Sequence, residues 1–226
     1  MKPKAIYTLT LDDDESTKRL QEFVERLPCS VSEAAPMHVH YGLNGRVEQV
    51  PSNWTRGRWD GDLTHLKGSK AVCYSHLSMI LGAIGQCPNE DDFVMILEDD
   101  VSIHENVFEY LSEIEIPDDW DFIHLSYWDI KCGSANQGST TKGISKITKP
   151  CCTGMFSYLV KPRKVFQRLI DAFPLTCEID NFLSNPENLK LFNIYVIEHT
   201  PWLTDHVSEF SIRDDADNET WKLANP

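Results

Sequence analysis

Three consecutive carboxylates, Glu98, Asp99 and Asp100, directly follow an apolar run at residues 93–97. An uninterrupted apolar run is typical of a strand covered on both faces, so it predicts a central strand of an α/β sheet. Ligands of such sheets bind at the carboxyl ends of the strands. Adjacent carboxylates repel one another and resist burial, and a shared cation relieves both costs. The spacing therefore predicts a divalent-metal site at this strand end.

The elements that must position these carboxylates follow an alternating pattern. The first predicted strand, residues 5–11, precedes a helix that stops at Pro28, which is the opening of a nucleotide-binding α/β unit. Segments 36–67 and 131–146 are predicted as loops, the first with room for one strand. Further strands are predicted at 93–97, 120–126, 154–160 and 193–198, and further helices at 70–86, 105–113 and 162–172.

Length and composition limit the class of protein. The 226 residues suit one α/β domain, with two small domains as the less favoured alternative. Apolar runs are only about strand length, so no transmembrane segment is expected. Seven cysteines without CxxC spacing, and no long apolar signal region after Met1, predict reduced thiols and a cytoplasmic location. A net charge of -14 argues against nucleic acid as a partner, although a metal-bridged pyrophosphate remains compatible.

Several other polar residues have an ordinary structural interpretation when judged by residue type alone. Glu178 and Asp180 lie two apart ahead of an apolar pair, a pattern that favours a helix N-terminal cap. His76 lies inside a predicted helix, where a lone histidine is usually structural. Arg19 fits an exposed helix face. Only the resemblance described next indicates that these residues belong to a functional site.

Four patches, in order along residues 4–212, resemble glycosyltransferase family 25, the lipopolysaccharide-type glycosyltransferases that include collagen galactosyltransferase domains. Thr10 stands in the first patch where the family has Asn, and Ser69 and Ala71 depart from its common Glu and Gly. The patches are residues 6–11 followed by Arg19; Leu63-Thr64, Gly68 and Ser75-His76; Leu97-Glu98-Asp99-Asp100; and residues 154–169 followed by Asp180-Asn181-Phe182-Leu183.

The resemblance implies a GT-A-type, Rossmann-like single domain over residues 1–212, followed by a polar tail at 213–226. Its sheet is expected to be mixed, mainly parallel and flanked by helices. The implied activity is that of an inverting, metal-dependent hexosyltransferase. It would move a sugar from a nucleotide-diphosphate sugar, a UDP-linked hexose as first choice, to a hydroxyl of a glycan or glycoconjugate such as a lipopolysaccharide.

Site residues follow from the same resemblance. Glu98 and Asp100 have the acid-x-acid spacing of a DxD motif, and they are assigned to Mn²⁺ or Mg²⁺ together with His206, or His199 as the alternative. For Glu98, the ribose of the donor is the alternative to the metal. Asp180 is assigned as the catalytic base, with Glu178 as the alternate. The residues assigned to the nucleotide sugar are Thr8, Thr10, Arg19, Ser75, His76, Leu97 and Asp99.

Two other functions remain open at the level of sequence. The departures at Thr10, Ser69 and Ala71 allow a protein that binds nucleotides or carbohydrates without turnover. A metal-dependent hydrolase or phosphotransfer domain would instead use Asp99 or Asp100 as a nucleophile.

Overall fold

The computed structural model describes residues 1–45, 48, 50, 67–126, 140–141, 143–149, 154–175, 179–198 and 203–206. The strands are β1 Ile6–Thr10, β2 Met37–Tyr41, β3 Val94–Glu98, β4 Val101–Ile103, β5 Phe122–His124, β6 Thr140–Thr141, β7 Ile144–Lys146, β8 Ser157–Val160, β9 Ile194–Ile197 and β10 Thr204–His206. The helices are α1 Asp14–Arg26, α2 Cys29–Ser32, α3 Lys67–Gly82, α4 Val107–Glu113, α5 Pro162–Asp171 and α6 Ile179–Ser184, with 3₁₀ turns at Ala83–Gln86 and Asn188–Lys190.

The main sheet has eight strands in the order β2-β1-β3-β8-β5-β9-β7-β6. Strands β2, β1 and β3 are mutually parallel, β8 runs against β3 and β5, and β9 is parallel to β5. Strand β7 is antiparallel to both of its neighbours, β9 and β6. In this eight-stranded sheet, β7 and β8 therefore run in one direction and the other six strands run in the opposite direction. This mixed, helix-flanked sheet confirms the predicted α/β class.

Strand β3 is the third strand of this sheet, and its alternate residues belong to two core clusters. Ile96 packs with residues of α3, α5 and α6. Leu97 packs instead with residues of α1 and α4. Successive side chains of a strand point to opposite faces, so the two clusters lie on the two faces of the sheet. The predicted burial of this strand on both faces is confirmed.

Helix α1 begins as its acidic start predicts. The Asp13 carboxylate caps the helix by accepting a hydrogen bond from the Ser16 backbone N–H at 2.8 Å. Asp14 and Glu15 follow in the first turn, where negative charge complements the helix dipole. The helix then packs on the sheet through Phe23, which is buried.

The structure adds strands in segments predicted as loops. β2 occupies the single strand allowed in residues 36–67, whereas β6 and β7 form an unpredicted hairpin at residues 140–146. β10 is also unpredicted, because its Thr, Asp and His carry no apolar period and it depends on pairing with β4.

Other sequence predictions meet the structure only in part. Among the described residues, Cys29 and Cys87 are free thiols. The domain boundary at residue 212 lies outside the described residues. No helix in the described part of the chain is both long and apolar enough to cross a membrane.

Candidate functional site

The three carboxylates lie at the carboxyl end of β3, beside the end of the parallel strand β1. Backbone hydrogen bonds anchor the turn on both sides, from the Asp99 N–H to Leu9 O at 3.0 Å and from the Glu98 N–H to Phe156 O at 2.8 Å. Asp99 is buried, whereas Glu98 and Asp100 are partly exposed. The turn therefore separates one interior carboxylate from two that solvent can reach.

Asp99 is held by residues of β1 and α1. The Thr10 hydroxyl donates to its Oδ2 at 2.7 Å, and Arg19 donates from Nε to Oδ1 and from Nη2 to Oδ2, both at 3.3 Å. Arg19 also donates to the Ser16 hydroxyl at 2.9 Å. Burial raises the pKa of Asp99, while the Thr10 hydrogen bond and the Arg19 charge act against that rise. Three residues predicted for the nucleotide sugar thus form one cluster, and Arg19 is paired rather than solvated.

Glu98 is held from the opposite face of the sheet by α3 and β8. Its Oε1 lies 3.1 Å from His76 Nε2, and His76 Nδ1 lies 3.0 Å from the Tyr158 hydroxyl oxygen. His76 and Tyr158 have no exposed surface. Burial raises the pKa of Tyr158 well above its ordinary value, and the charge of Glu98 adds to that effect. Glu98 itself keeps a quarter of its side chain exposed.

The metal assignment rests on Asp100, Glu98 and the backbone position of His206. Strand β10 pairs antiparallel with β4, and His206 stands opposite Val101, the residue after Asp100. No group of three or more His, Cys, Asp or Glu side chains able to hold a metal occurs among the described residues. Two carboxylates still suit a divalent cation that completes its shell with water and diphosphate oxygens. His199 lies outside the described residues.

Asp180 lies in the first turn of α6 and is 8% exposed. Its Oδ1 accepts a hydrogen bond from the backbone N–H of Asn181 at 2.9 Å. Ring contacts connect α6 to the sheet, with centroids 6.3 Å apart for Phe182 and Phe192 and 5.9 Å apart for Phe192 and Phe122. Asp180 is therefore carried by a helix on the same face as His76. Its alternate, Glu178, lies outside the described residues.

The remaining predicted residues have structural contacts. The Ser75 hydroxyl donates to Ala71 O at 2.7 Å and accepts from the Leu43 N–H at 2.9 Å, which ties α3 to the segment after β2. Thr8 and Leu97 are fully buried in adjacent strands. Neither of those two side chains reaches the surface.

Sequence reasoning missed Tyr158 and His124, which stand opposite each other on β8 and β5. His124 is fully buried, and neither ring nitrogen has a hydrogen-bond partner within the described part of the chain. Burial lowers the pKa of His124 to about 4. Both residues lie inside apolar strand patterns, so the sequence carries no signal that separates them from ordinary core positions.

No family model and no curated protein matches this chain. The chain is similar to the solved structure of the galactosyltransferase LgtC in complex with donor and acceptor sugar analogues. That match has a TM-score of 0.41 and 13% identity, and it covers 85% of this chain and 72% of the other.

Two further solved structures are similar at a lower level. One is a glycosyltransferase involved in glycosylation of the major capsid of PBCV-1, with a TM-score of 0.35, 12% identity and coverage of 96% of this chain and 98% of the other. The second is mouse xyloside xylosyltransferase 1, with a TM-score of 0.33, 9% identity and coverage of 98% and 82%. Similarities at these TM-scores carry no inference about this chain.

Proposed function

We propose that this protein is an inverting, metal-dependent glycosyltransferase that moves a hexose from a UDP-linked or related nucleotide sugar to a glycan hydroxyl. The proposal rests on the different environments of the three carboxylates at the end of β3. Asp99 is bound internally by Thr10 and Arg19, while Glu98 and Asp100 remain partly exposed on either side of it. Alternating acidic residues of this kind suit a ligand that lies across the strand end.

Glu98 and Asp100 would hold Mn²⁺ or Mg²⁺, with His206 as a further ligand. The register of β10 supports this assignment, because it brings the His206 backbone next to the turn that carries Asp100. A bound divalent ion would neutralise charge on the departing diphosphate. The cluster of Thr10, Arg19 and Asp99 would lie beneath the nucleotide of the donor. Its hydrogen bonds fix the turn that follows β3.

Asp180 would act as the general base. The acceptor oxygen would form a bond to the anomeric carbon, its proton would pass to the Asp180 carboxylate, and the bond from the anomeric carbon to the diphosphate oxygen would break. Attack opposite the leaving group inverts the anomeric configuration. Asp180→Asn is expected to bind donor as the wild type does and to lose transfer, with the product anomer of the wild type identified by NMR. Normal turnover by Asp180→Asn would remove it as the base.

A thermal-shift panel of UDP-, GDP-, ADP- and CMP-linked sugars, with and without Mn²⁺, tests the donor class. A donor at 100 times its Kd adds about 2.7 kcal/mol of stability, or about 5–10 °C for a chain of this size. We expect that shift to require Mn²⁺ and to disappear in Asp100→Asn. Asp118→Asn, an exposed carboxylate in the loop before β5, is the matched control and should keep the shift.

The other possible outcomes separate the competing functions. Stabilisation by a nucleotide sugar without transfer to any glycan acceptor would indicate a binding protein. Release of free sugar or phosphate without an acceptor would indicate a hydrolase. The proposal is wrong if no nucleotide stabilises the protein with or without Mn²⁺.

A further inference from the structure

We propose that His76 and Tyr158 are positioning residues that fix the carboxylate of Glu98 for its ligand, an inference that rests on the proposed function. Tyr158 lies within the fourth patch of the resemblance, but no site role was predicted for it. It lies on β8, 82 residues along the chain from His76. The sheet brings the two together because β8 pairs with β3, with Tyr158 opposite Ile96.

The hydrogen bonds define one direction of donation. An ionised Glu98 carboxylate only accepts, so His76 must donate from Nε2 to Oε1. A neutral imidazole with its proton on Nε2 has an acceptor at Nδ1, so Tyr158 must donate its hydroxyl proton there. Every polar atom of the His76 ring and the Tyr158 hydroxyl is then satisfied. The chain of bonds engages Oε1 of Glu98, so a ligand would bind through Oε2.

Burial makes this arrangement rigid. His76 and Tyr158 are both 0% exposed. The Tyr158 ring has His76, His124 and Phe122 as neighbours, with centroid distances of 5.8, 6.1 and 6.3 Å. Because the packed Tyr158 ring cannot turn away, its hydroxyl fixes the orientation of the His76 imidazole. The imidazole in turn fixes the Glu98 carboxylate, which would otherwise rotate about three side-chain bonds. Partners of this kind orient a metal-binding carboxylate before the ion arrives.

The same geometry changes the role expected of His76. Its nitrogens are both engaged, and its ring has no accessible surface. His76 therefore acts through Glu98 and does not contact the nucleotide sugar. This distinction can be tested. If His76 only fills space, an apolar side chain should preserve ligand binding, whereas if it positions Glu98, only a side chain with a hydrogen-bond donor should do so.

The test compares Tyr158→Phe, His76→Leu and His76→Gln. Free Mn²⁺ is measured by EPR in titrations with and without UDP, and the Tm of the ligand-free protein is recorded in parallel. We expect Tyr158→Phe and His76→Leu to weaken Mn²⁺ binding about 10-fold or more, the usual effect of removing a supporting partner. His76→Gln keeps an N–H donor near Oε1 and should recover part of that loss, even if its ligand-free Tm is below that of His76→Leu.

Tyr195→Phe is the matched control. It also removes one phenol hydroxyl, which donates to Asp119 Oδ1 at 2.7 Å in a partly buried bond, but the bond lies away from the end of β3. It should lower the Tm without changing Mn²⁺ affinity. If Tyr158→Phe and His76→Leu bind Mn²⁺ as the wild type does, the inference is overturned while the proposed function stands. A wild-type protein that binds neither Mn²⁺ nor UDP would overturn the proposed function and this inference with it.

Discussion

The buried imidazole of His124 should make the protein acid-sensitive by a calculable amount. Burial lowers the pKa of His124 from 6.5 to about 4, so between these values the unfolded chain binds a proton that the folded chain does not. Stability therefore rises with pH across this window, by about 1.4 kcal/mol per pH unit, and falls as the pH drops. From pH 7 to pH 5 this single group should remove about 2 kcal/mol of folding stability.

Replacing His124 with Leu removes the titrating group and puts an apolar side chain of similar size in its place. Urea unfolding at pH 7, 6 and 5 should show that the wild type loses about 2 kcal/mol more than His124→Leu over this range. Phe122→Leu is the matched control. It alters packing two residues away on the same strand, so it should lower stability by an amount that does not depend on pH.

The difference between the two pH dependences of the unfolding free energy reports on His124 alone, because the wild type and His124→Leu share all other titrating groups. An identical pH dependence for the wild type and His124→Leu would refute the reasoning. It would mean that the folded protein accommodates a proton on this ring, despite the burial of both nitrogens.

Two ion pairs, each with a buried carboxylate, predict losses of stability. Arg19→Met leaves the Asp99 carboxylate with Thr10 but without its cation, and should cost about 3 kcal/mol, or about 6–12 °C in Tm by differential scanning calorimetry. Arg168→Met should also lower stability by urea unfolding, because it removes two bonds of 2.8 Å to the fully buried Asp121. Lys164 Nζ stays 3.4 Å from Asp121 Oδ1, so the loss should be smaller than that of leaving the carboxylate without a cation.

An exposed pair on α1 supplies the control for both substitutions. Arg26 lies 4.0 Å from Glu22, and both side chains are nearly half exposed. Arg26→Met should change stability by no more than about 0.5 kcal/mol. Equal effects of Arg19→Met and Arg26→Met would contradict the view that Asp99 depends on Arg19.

Local patterns were enough to predict much of the fold. The apolar run before Glu98 predicted a central strand, and β3 is covered on both faces because no polar side chain interrupts residues 93–97. The acidic start before α1 predicted a helix N-terminus, and Asp13 is its cap. Such features depend on neighbours a few residues apart, so the sequence displays them directly.

Part of the site was also visible in the sequence, since Glu98, Asp99 and Asp100 are adjacent and their position at a strand end follows from the pattern. Their separate roles were not visible. Asp99 turns toward α1 and meets Arg19, 80 residues away, whereas Glu98 turns toward α3 and meets His76. The alternation of a strand sends neighbouring side chains to opposite faces, but only the packed helices decide what each one meets.

The sequence by itself determined the longer strands and helices that alternate along the chain, and the clustering of acidic residues at one strand end. The tertiary structure alone decided that Tyr158 supports His76, that His124 is enclosed, and that β10 brings the His206 backbone beside Val101. These contacts join residues far apart in the chain, and they form only when strand pairing fixes which elements are neighbours. Periodicity records the face on which a side chain lies, but it carries no information about the partner on that face.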